Sequence, residues 1–185
     1  MGQTDHLRDL HGARFLILLD AAGLPSKRPE CSKVIYGTIK FAKLDFFLRC
    51  PEYLYAAVRI VDPDTAKTWD DCPTLPMHKY KMGPFEREYY DVFAILESKG
   101  LLEIRADKER RGRAFHLTNQ GQEAVEKFLE EPRFQEYHTV AKVISNFFGQ
   151  WGGNELKDFL YDNFPEVGEA RLNQPIQPYR RTKNA

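Results

Sequence analysis

Apolar residues recur at every third or fourth position along several stretches of this chain, a spacing typical of amphipathic helices. In the first stretch these positions are Leu7, Leu10, Ile17, Leu18 and Ala21. Gly23 and Pro25 follow as a C-terminal stop signal, so we predict a first helix from Asp5 to Ala22. The segment 24–37 is rich in turn-forming residues, and we predict that it forms a loop.

Two further helices are predicted after this loop. Thr38 can cap a helix from Ile39 to Arg49, whose residues are apolar on nearly every side. Such a helix is buried on most sides or contacts a partner. Pro51 suits the first turn of the next helix, because its missing N–H would have no helical acceptor there, and we expect this helix to end near Val61.

The segment from Tyr89 to Leu129 has the order of elements found in a winged helix. The predicted elements are a helix from Gly83 to Lys99, a strand at 101–105, a charged loop at 107–113 and a second strand at 114–117. Gly100 would stop the helix, and Thr118 can cap the helix that closes the segment. We therefore expect a mainly α-helical fold with a small β-hairpin, namely a winged helix-turn-helix.

The remainder of the chain is predicted to form a C-terminal helical extension. Pro132 ends the preceding helix, amphipathic patterns follow at 134–148 and 155–161, and Asn154 can cap the second of them. We therefore divide the chain into a winged-helix domain with N-terminal helices at 1–131 and a C-terminal helical extension and tail at 132–185.

Composition narrows the possible partners. Basic and acidic residues number 27 each, so no net charge draws the whole molecule toward nucleic acid or an anionic membrane. Hydrophobic residues make up 42% of the chain, enough for a packed core. The chain has no secretion signal and no apolar run near the roughly 20 residues that span a bilayer, so we expect a cytoplasmic protein with no membrane contact.

Basic residues in the predicted wing are candidates for contact with DNA phosphates. They are Lys108, Arg110, Arg111 and Arg113, and two lysines just before the preceding helix, Lys79 and Lys81, could add to them. A solvated, charged turn explains the same residues. The helix itself, from Glu86 to Lys99, carries four acidic and two basic residues, and negative charge there would be repelled by phosphates. We therefore favour a winged helix that binds protein over one that reads DNA sequence.

The sequence gives little indication of catalysis. The five histidines show no HxxxH or HExxH spacing, and no GxxxxGK[ST] or strand-linked GxGxxG motif is present. The three cysteines, Cys31, Cys50 and Cys72, lack the spacing of a zinc knuckle. We predict that the chain is not an enzyme and binds neither a metal nor a cofactor.

Two blocks of sequence resemble a known family. Residues 40–51 resemble the K-x-x-K-L-D-F-x-x-R-x-P signature of the middle component of ABC-three-component systems, which include the accessory subunit of Lamassu anti-phage and anti-plasmid defence complexes. Residues 156–168 are similar to the L-K-x-x-I-Y-x-x-F-x-E-V-G ending of that family. Between the two blocks, the tyrosine-rich helix and hairpin also follow the family order.

The resemblance implies a non-enzymatic accessory subunit that bridges an SMC-like or Rad50-like ATPase and an effector, often a nuclease. The subunit would help to hold the effector inactive until foreign DNA is sensed. On this view, candidate interface anchors are the aromatic residues Phe41, Phe46, Phe47, Tyr53, Tyr55, Tyr89 and Tyr90. Ordinary core packing is favoured for each of them, because each lies at helical spacing with other apolar residues. The alternative function is a stand-alone dimeric winged-helix transcription regulator that binds operator DNA.

Overall fold

The chain folds into eight helices and four strands over the residues that the structure describes. A computed structural model describes residues 3–64, 89–109, 112–169 and 176, with side chains described from residue 10 onward. The helices are α1 Gln3–Ala22, α2 Thr38–Arg49, α3 Pro51–Val61, α4 Tyr89–Ser98, α5 Asn119–Phe128, α6 Pro132–Phe148, α7 Gly153–Asn163 and α8 Pro165–Glu169. The strands are β1 Leu24–Pro25, β2 Cys31–Tyr36, β3 Leu102–Asp107 and β4 Gly112–Thr118. The fold is therefore mainly helical with a small sheet.

The four strands form one antiparallel sheet in the order β1-β2-β4-β3. Strand β4 lies in the middle, and its four consecutive residues from Ala114 to Leu117 are all buried. His116 faces Val34 on one side and Glu103 on the other, so these three side chains lie in a row on one face of the sheet. Phe115 and Leu117 lie on the opposite face, which belongs to the core.

The predictions for the sheet were partly wrong. The hairpin of β3 and β4 is confirmed, although it is longer than predicted, because residues at both ends of the expected charged loop pair with each other. The segment 24–37 is not a loop, since β2 occupies Cys31–Tyr36 and pairs with β4. That pairing joins residues about 80 positions apart, which no local pattern of hydrophobic residues can reveal.

The helix predictions hold more closely. Helices α1, α2 and α3 are confirmed, and Gly100, with a φ of 69°, follows α4 at the predicted stop. The predicted start of α4 at 83–88 lies outside the described residues. Pro132 was predicted only to end α5, but it is also the first residue of α6. Helix α7 begins at Gly153, one residue before the predicted cap Asn154. Its first turn is capped by Glu155, which accepts a hydrogen bond from the Gly152 N–H at 3.0 Å.

Helix α2 lies at the centre of the molecule. Every residue from Lys40 to Arg49 is buried, and the helix contacts the sheet and helices α1, α3, α6 and α7. On one side, Phe41 packs between Phe15 and Phe115, with ring centroids 5.1 Å away in both cases. On the other side, Phe47 stacks on Phe148 of α6 at 4.9 Å. The proposed division at 131/132 falls between α5 and α6, and residues from both regions share this one core.

Candidate functional site

The wing candidates for DNA contact lie at the end of the β3–β4 hairpin where they are described. Lys108 is exposed in the turn and Arg113 is exposed near the start of β4. The carbonyl of Arg113 accepts a hydrogen bond from the Gly37 N–H at 2.7 Å, which ties the turn end of β4 to the start of α2. Four further candidates lie outside the described residues, namely Lys79, Lys81, Arg110 and Arg111.

A second basic group lies on the outer face of the sheet, and the sequence analysis missed the contribution of Arg28 to it. Glu103 of β3 is held between two arginines that come from different parts of the chain. Arg28 forms a bidentate pair with it, with Nε 2.9 Å from Oε2 and Nη2 3.1 Å from Oε1. Arg105 donates from Nε to Oε1 at 2.7 Å. Arg28 lies in the segment predicted to be a loop, so no sequence signal could bring it next to β3.

The titratable groups around Glu103 are kept in their ordinary charge states. Desolvation acts to raise the pKa of Glu103, but the hydrogen bond and charge of Arg105 and the charge of Arg28 outweigh it, so this pKa is lowered. Burial and the nearby Glu103 carboxylate raise the pKa of the Cys31 thiol, which donates to that carboxylate at 3.6 Å. Burial and Arg28 lower the pKa of His116. At neutral pH this surface therefore carries an ionised carboxylate, a protonated thiol and a neutral imidazole.

A separate polar cluster is fully buried between α1, α2 and α4. The Asp45 carboxylate accepts from Arg14 through Nε at 2.7 Å and through Nη2 at 3.2 Å, and neither side chain is exposed. The hydroxyl of Tyr89 donates to the same carboxylate. Burial, together with Arg14 and Arg49, lowers the pKa of nearby His11 to about 3. This cluster joins three helices inside the core and has no access to solvent.

The two sequence blocks of the family resemblance pack against each other. Lys43 donates to the hydroxyl of Tyr161 at 3.1 Å, with its ammonium 4.6 Å from the centre of that ring. The hydroxyl of Tyr53, just after the first block, donates to Glu166 of the second block at 3.2 Å. Lys40 donates to the carbonyl of Gly149 at the end of α6, at 2.6 Å. Lys40, Lys43 and Asp45 of the first block are thus each bound within the chain.

Most of the proposed aromatic anchors are core residues, which corrects their assignment as direct partner contacts. Five of them are at most 1% exposed: Phe41, Phe46, Phe47, Tyr53 and Tyr89. They are buried because α2 lies in the middle of the fold, so that every side of that helix meets another element of the same chain. Tyr55 is half-buried, and Tyr90 is 43% exposed. Tyr90 is therefore the most exposed of the anchor candidates.

Two other kinds of site find no support in the described residues. Within ranges 3–64, 89–109 and 112–169, no group of three or more His, Cys, Asp or Glu residues could hold a metal ion. None of the helices in the described part of the chain combines the length and the apolar character needed to cross a membrane.

The comparisons with known proteins returned no relatives. No protein-family model, no curated protein and no solved structure matches the chain. Interpretation of its function therefore depends on the residues and contacts described above.

Proposed function

We propose that this chain is a non-enzymatic accessory subunit of a Lamassu-type defence complex. In that role it bridges an SMC-like or Rad50-like ATPase and an effector nuclease, and helps to hold the effector inactive until foreign DNA is sensed. It acts in the cytoplasm, without a cofactor, and reaches double-stranded DNA as part of the complex.

The contact between the two signature blocks is the observation that carries this proposal. The blocks lie more than 100 residues apart, yet Lys43 of the first block meets Tyr161 of the second, and Tyr53, just after the first block, meets Glu166 of the second. A buried ammonium is costly without a partner, so Lys43 in the first block and Tyr161 in the second together meet one requirement of this fold. The presence of both halves of such a contact fits common ancestry with the family better than a chance match of either block alone.

We further propose that the central part of the chain is a winged helix-turn-helix. The strand order β2-β4-β3, with α4 directly before the β3–β4 hairpin, is the arrangement expected of that fold. The exposed Lys108 and Arg113 then lie on the wing, where they contact phosphates modestly and without sequence preference. Asp91 and Glu97 are exposed on α4, which suits that helix to a protein partner better than to a DNA groove.

Affinity purification tests the assembly directly. The tagged chain is purified from cells that carry its native gene neighbourhood, and the co-purifying proteins are identified by mass spectrometry. We expect an SMC-like or Rad50-like ATPase, and we expect Tyr90→Ala to weaken its recovery because Tyr90 is the most exposed of the candidate anchors. Recovery of the chain alone, under conditions that preserve other complexes of the cell, would contradict the proposal.

The same chain could instead be a dimeric transcription regulator, since the β2-β4-β3 strand order is also that of DNA-binding winged helices. Charge reversal of Arg110 and Arg111 separates the two functions. The regulator loses operator binding with these changes, whereas an accessory subunit keeps its assembly with the ATPase. Sequence-selective binding of duplex DNA by the purified chain at physiological ionic strength would favour the regulator.

A further inference from the structure

The carboxylate of Glu103 occupies a place that an anionic ligand could occupy. Three of the contacts that it accepts, at 2.7, 2.9 and 3.1 Å, come from the guanidinium groups of Arg28 and Arg105. The side chains of Arg28 and Arg105 are 45% and 59% exposed, while that of Glu103 is 21% exposed. The two cations therefore face solvent, and the anion that neutralises them lies beneath and between them.

The backbones that carry both arginines are fixed independently of Glu103. The Arg28 N–H donates to the hydroxyl of Ser26 at 3.1 Å, and its carbonyl accepts from the Cys31 N–H at 3.2 Å. Ser26 is itself 3.3 Å from Nδ1 of His116 on the central strand. Arg105 is paired with Ala114 within the β3–β4 hairpin. Neutralising Glu103 would therefore release the two guanidinium groups without releasing the chain that positions them.

We propose that Arg28 and Arg105 form a phosphodiester-binding site for duplex DNA, which Glu103 occupies while the chain is free. This site extends the phosphate contacts assigned above to the wing, and it rests on that part of the proposed function. Guanidinium groups bind carboxylates and phosphates in the same planar, bidentate geometry, so a phosphate can replace the carboxylate contact for contact.

The location of the site favours an extended polyanion over a single phosphate. Arg105 lies three residues before Lys108 on the same hairpin, a distance of roughly 10 Å along a strand. Arg113 lies on the opposite face of β4, because Ala114 is the residue that pairs with Arg105, and it is therefore not part of this site. Arg28, Arg105 and Lys108 thus offer cations from the middle of the hairpin to its turn, where successive phosphates of one DNA backbone can meet them.

Glu103 lowers the affinity for DNA in two ways. Its charge repels an incoming phosphate, and its tether gives it a far higher effective concentration near the arginines than any external anion has. The DNA must displace it before either guanidinium can contact a phosphate. This internal competition keeps the free chain a weak DNA binder, so that DNA contact depends on additional contacts supplied by the complex.

Charge-neutral substitutions on the same hairpin test the idea with a matched control. Glu103→Gln and Glu109→Gln each remove one negative charge from the hairpin, but Glu109 forms no ion pair among the described residues. We expect Glu103→Gln to tighten binding of a short duplex DNA of arbitrary sequence about tenfold more than Glu109→Gln does, measured by fluorescence anisotropy. The dependence of log K on log salt should steepen by about 0.9 for each additional phosphate that the chain neutralises.

A double-mutant cycle identifies the arginines as the groups released. Arg28→Gln with Arg105→Gln should weaken binding strongly in the Glu103→Gln background and only slightly in the unaltered chain, where both guanidinium groups are already occupied. Circular dichroism of each variant confirms that it is folded.

Three outcomes would overturn the site. If Glu103→Gln and Glu109→Gln raise the affinity for DNA equally, only the net charge of the hairpin matters. If the affinity of Glu103→Gln for DNA is unchanged by loss of both arginines, the DNA binds elsewhere. Absence of DNA binding by all variants would also refute it. None of these results affects co-purification with an ATPase, so failure of this site and failure of the proposed function are distinguishable.

Discussion

Charged residues of α2 lie inside the core, and their internal contacts explain why a buried helix carries them. Lys40 and Lys43 reach a carbonyl at the end of α6 and a tyrosine of α7, and Asp45 meets an arginine of α1. A buried charge is tolerated only when its partner is present, so each of these residues constrains a residue on another helix. Lys40, Lys43 and Asp45 of the first sequence block therefore help to determine how the other helices are arranged around α2.

The Arg14–Asp45 pair is expected to be sensitive to loss of one partner. Asp45→Asn leaves the fully buried guanidinium of Arg14 without a counter-charge and should lower the free energy of unfolding by about 3–5 kcal/mol. Urea denaturation followed by circular dichroism measures the change. The double variant Arg14→Met/Asp45→Leu removes both charges and serves as the control, and it should lose less stability than the single variant. A double variant less stable than Asp45→Asn would contradict this account.

His11 should make the protein less stable in mild acid. Its pKa lies at about 3 in the folded chain, below the ordinary value of 6.5. When the pH falls below 6.5, the unfolded chain binds a proton at His11 and the folded chain does not, so stability present above pH 6.5 is lost. Between pH 7.5 and 5.5 the loss from this residue should be about 1.4 kcal/mol.

Comparison with His11→Gln isolates the contribution of His11. Burial also lowers the pKa of His116 and His138, so both the variant and the unaltered chain retain some dependence on pH. Urea denaturation at the two pH values should show a smaller loss for the variant. Equal losses in the two proteins would show that His11 is not buried in its neutral form.

At the scale of elements, the sequence predicted those helices and strands whose formation depends on residues close together in the chain. Helices α1, α2 and α3 have periodic apolar residues with clear end signals, and all three were predicted within a residue or two at their described ends. Strand β2 was missed because its hydrogen bonds go to β4, far away in the sequence.

Among the candidate sites, too, only those built from residues close together in the chain could be predicted. The exposed wing residues Lys108 and Arg113 could be identified from charge alone, since both belong to one local hairpin. The Glu103 site could not, because the pairing of β2 with β4 is what brings Arg28 to the hairpin. Five of the seven aromatic anchor candidates lie in the core, and the sequence could not separate them from the other two, because helical spacing shows which residues share a face but not whether the protein itself covers that face.

The contact of α5 with the hairpin should be intolerant of a single methyl group. A Cβ at Gly121 would lie 2.1 Å from the carbonyl oxygen of Leu101 and 2.8 Å from a methyl carbon of Leu117. Gly121→Ala should therefore lower the free energy of unfolding by about 1–3 kcal/mol, although alanine is the better helix former. Thermal denaturation measures the effect.

Gly152→Ala is the matched control for this substitution. Gly152 has a φ of −73°, which any residue can adopt, and a Cβ there meets nothing within 4 Å. This variant should be as stable as the unaltered chain or slightly more stable. A Gly121→Ala variant with the same melting temperature as Gly152→Ala would mean that α5 does not approach the hairpin so closely.

At the scale of the whole molecule, zero net charge conceals an uneven distribution. The segments that form the sheet, 24–36 and 99–118, contain nine basic and four acidic residues. The segment of the last four helices, 119–169, contains four basic and ten acidic residues. Such a separation of charge would orient the molecule in the field of a polyanion, with the sheet toward the polyanion and the last helices away from it. On the proposed function, phosphate contacts and contacts with protein partners would then fall in different regions.

Finally, the two regions of the chain should unfold as one unit. Helix α6 packs along α1, and α7 packs on α2, so a chain ending at residue 131 would expose core residues such as Phe47, which stacks on Phe148. It would also leave the buried ammonium of Lys43 without its hydrogen-bond acceptor, the hydroxyl of Tyr161. We expect this truncated chain to lack a cooperative urea transition. A chain ending at Ile176, which keeps every described helix and strand, should retain a single transition. Cooperative unfolding of the 1–131 chain as a monomer would instead show that this region is an independent domain.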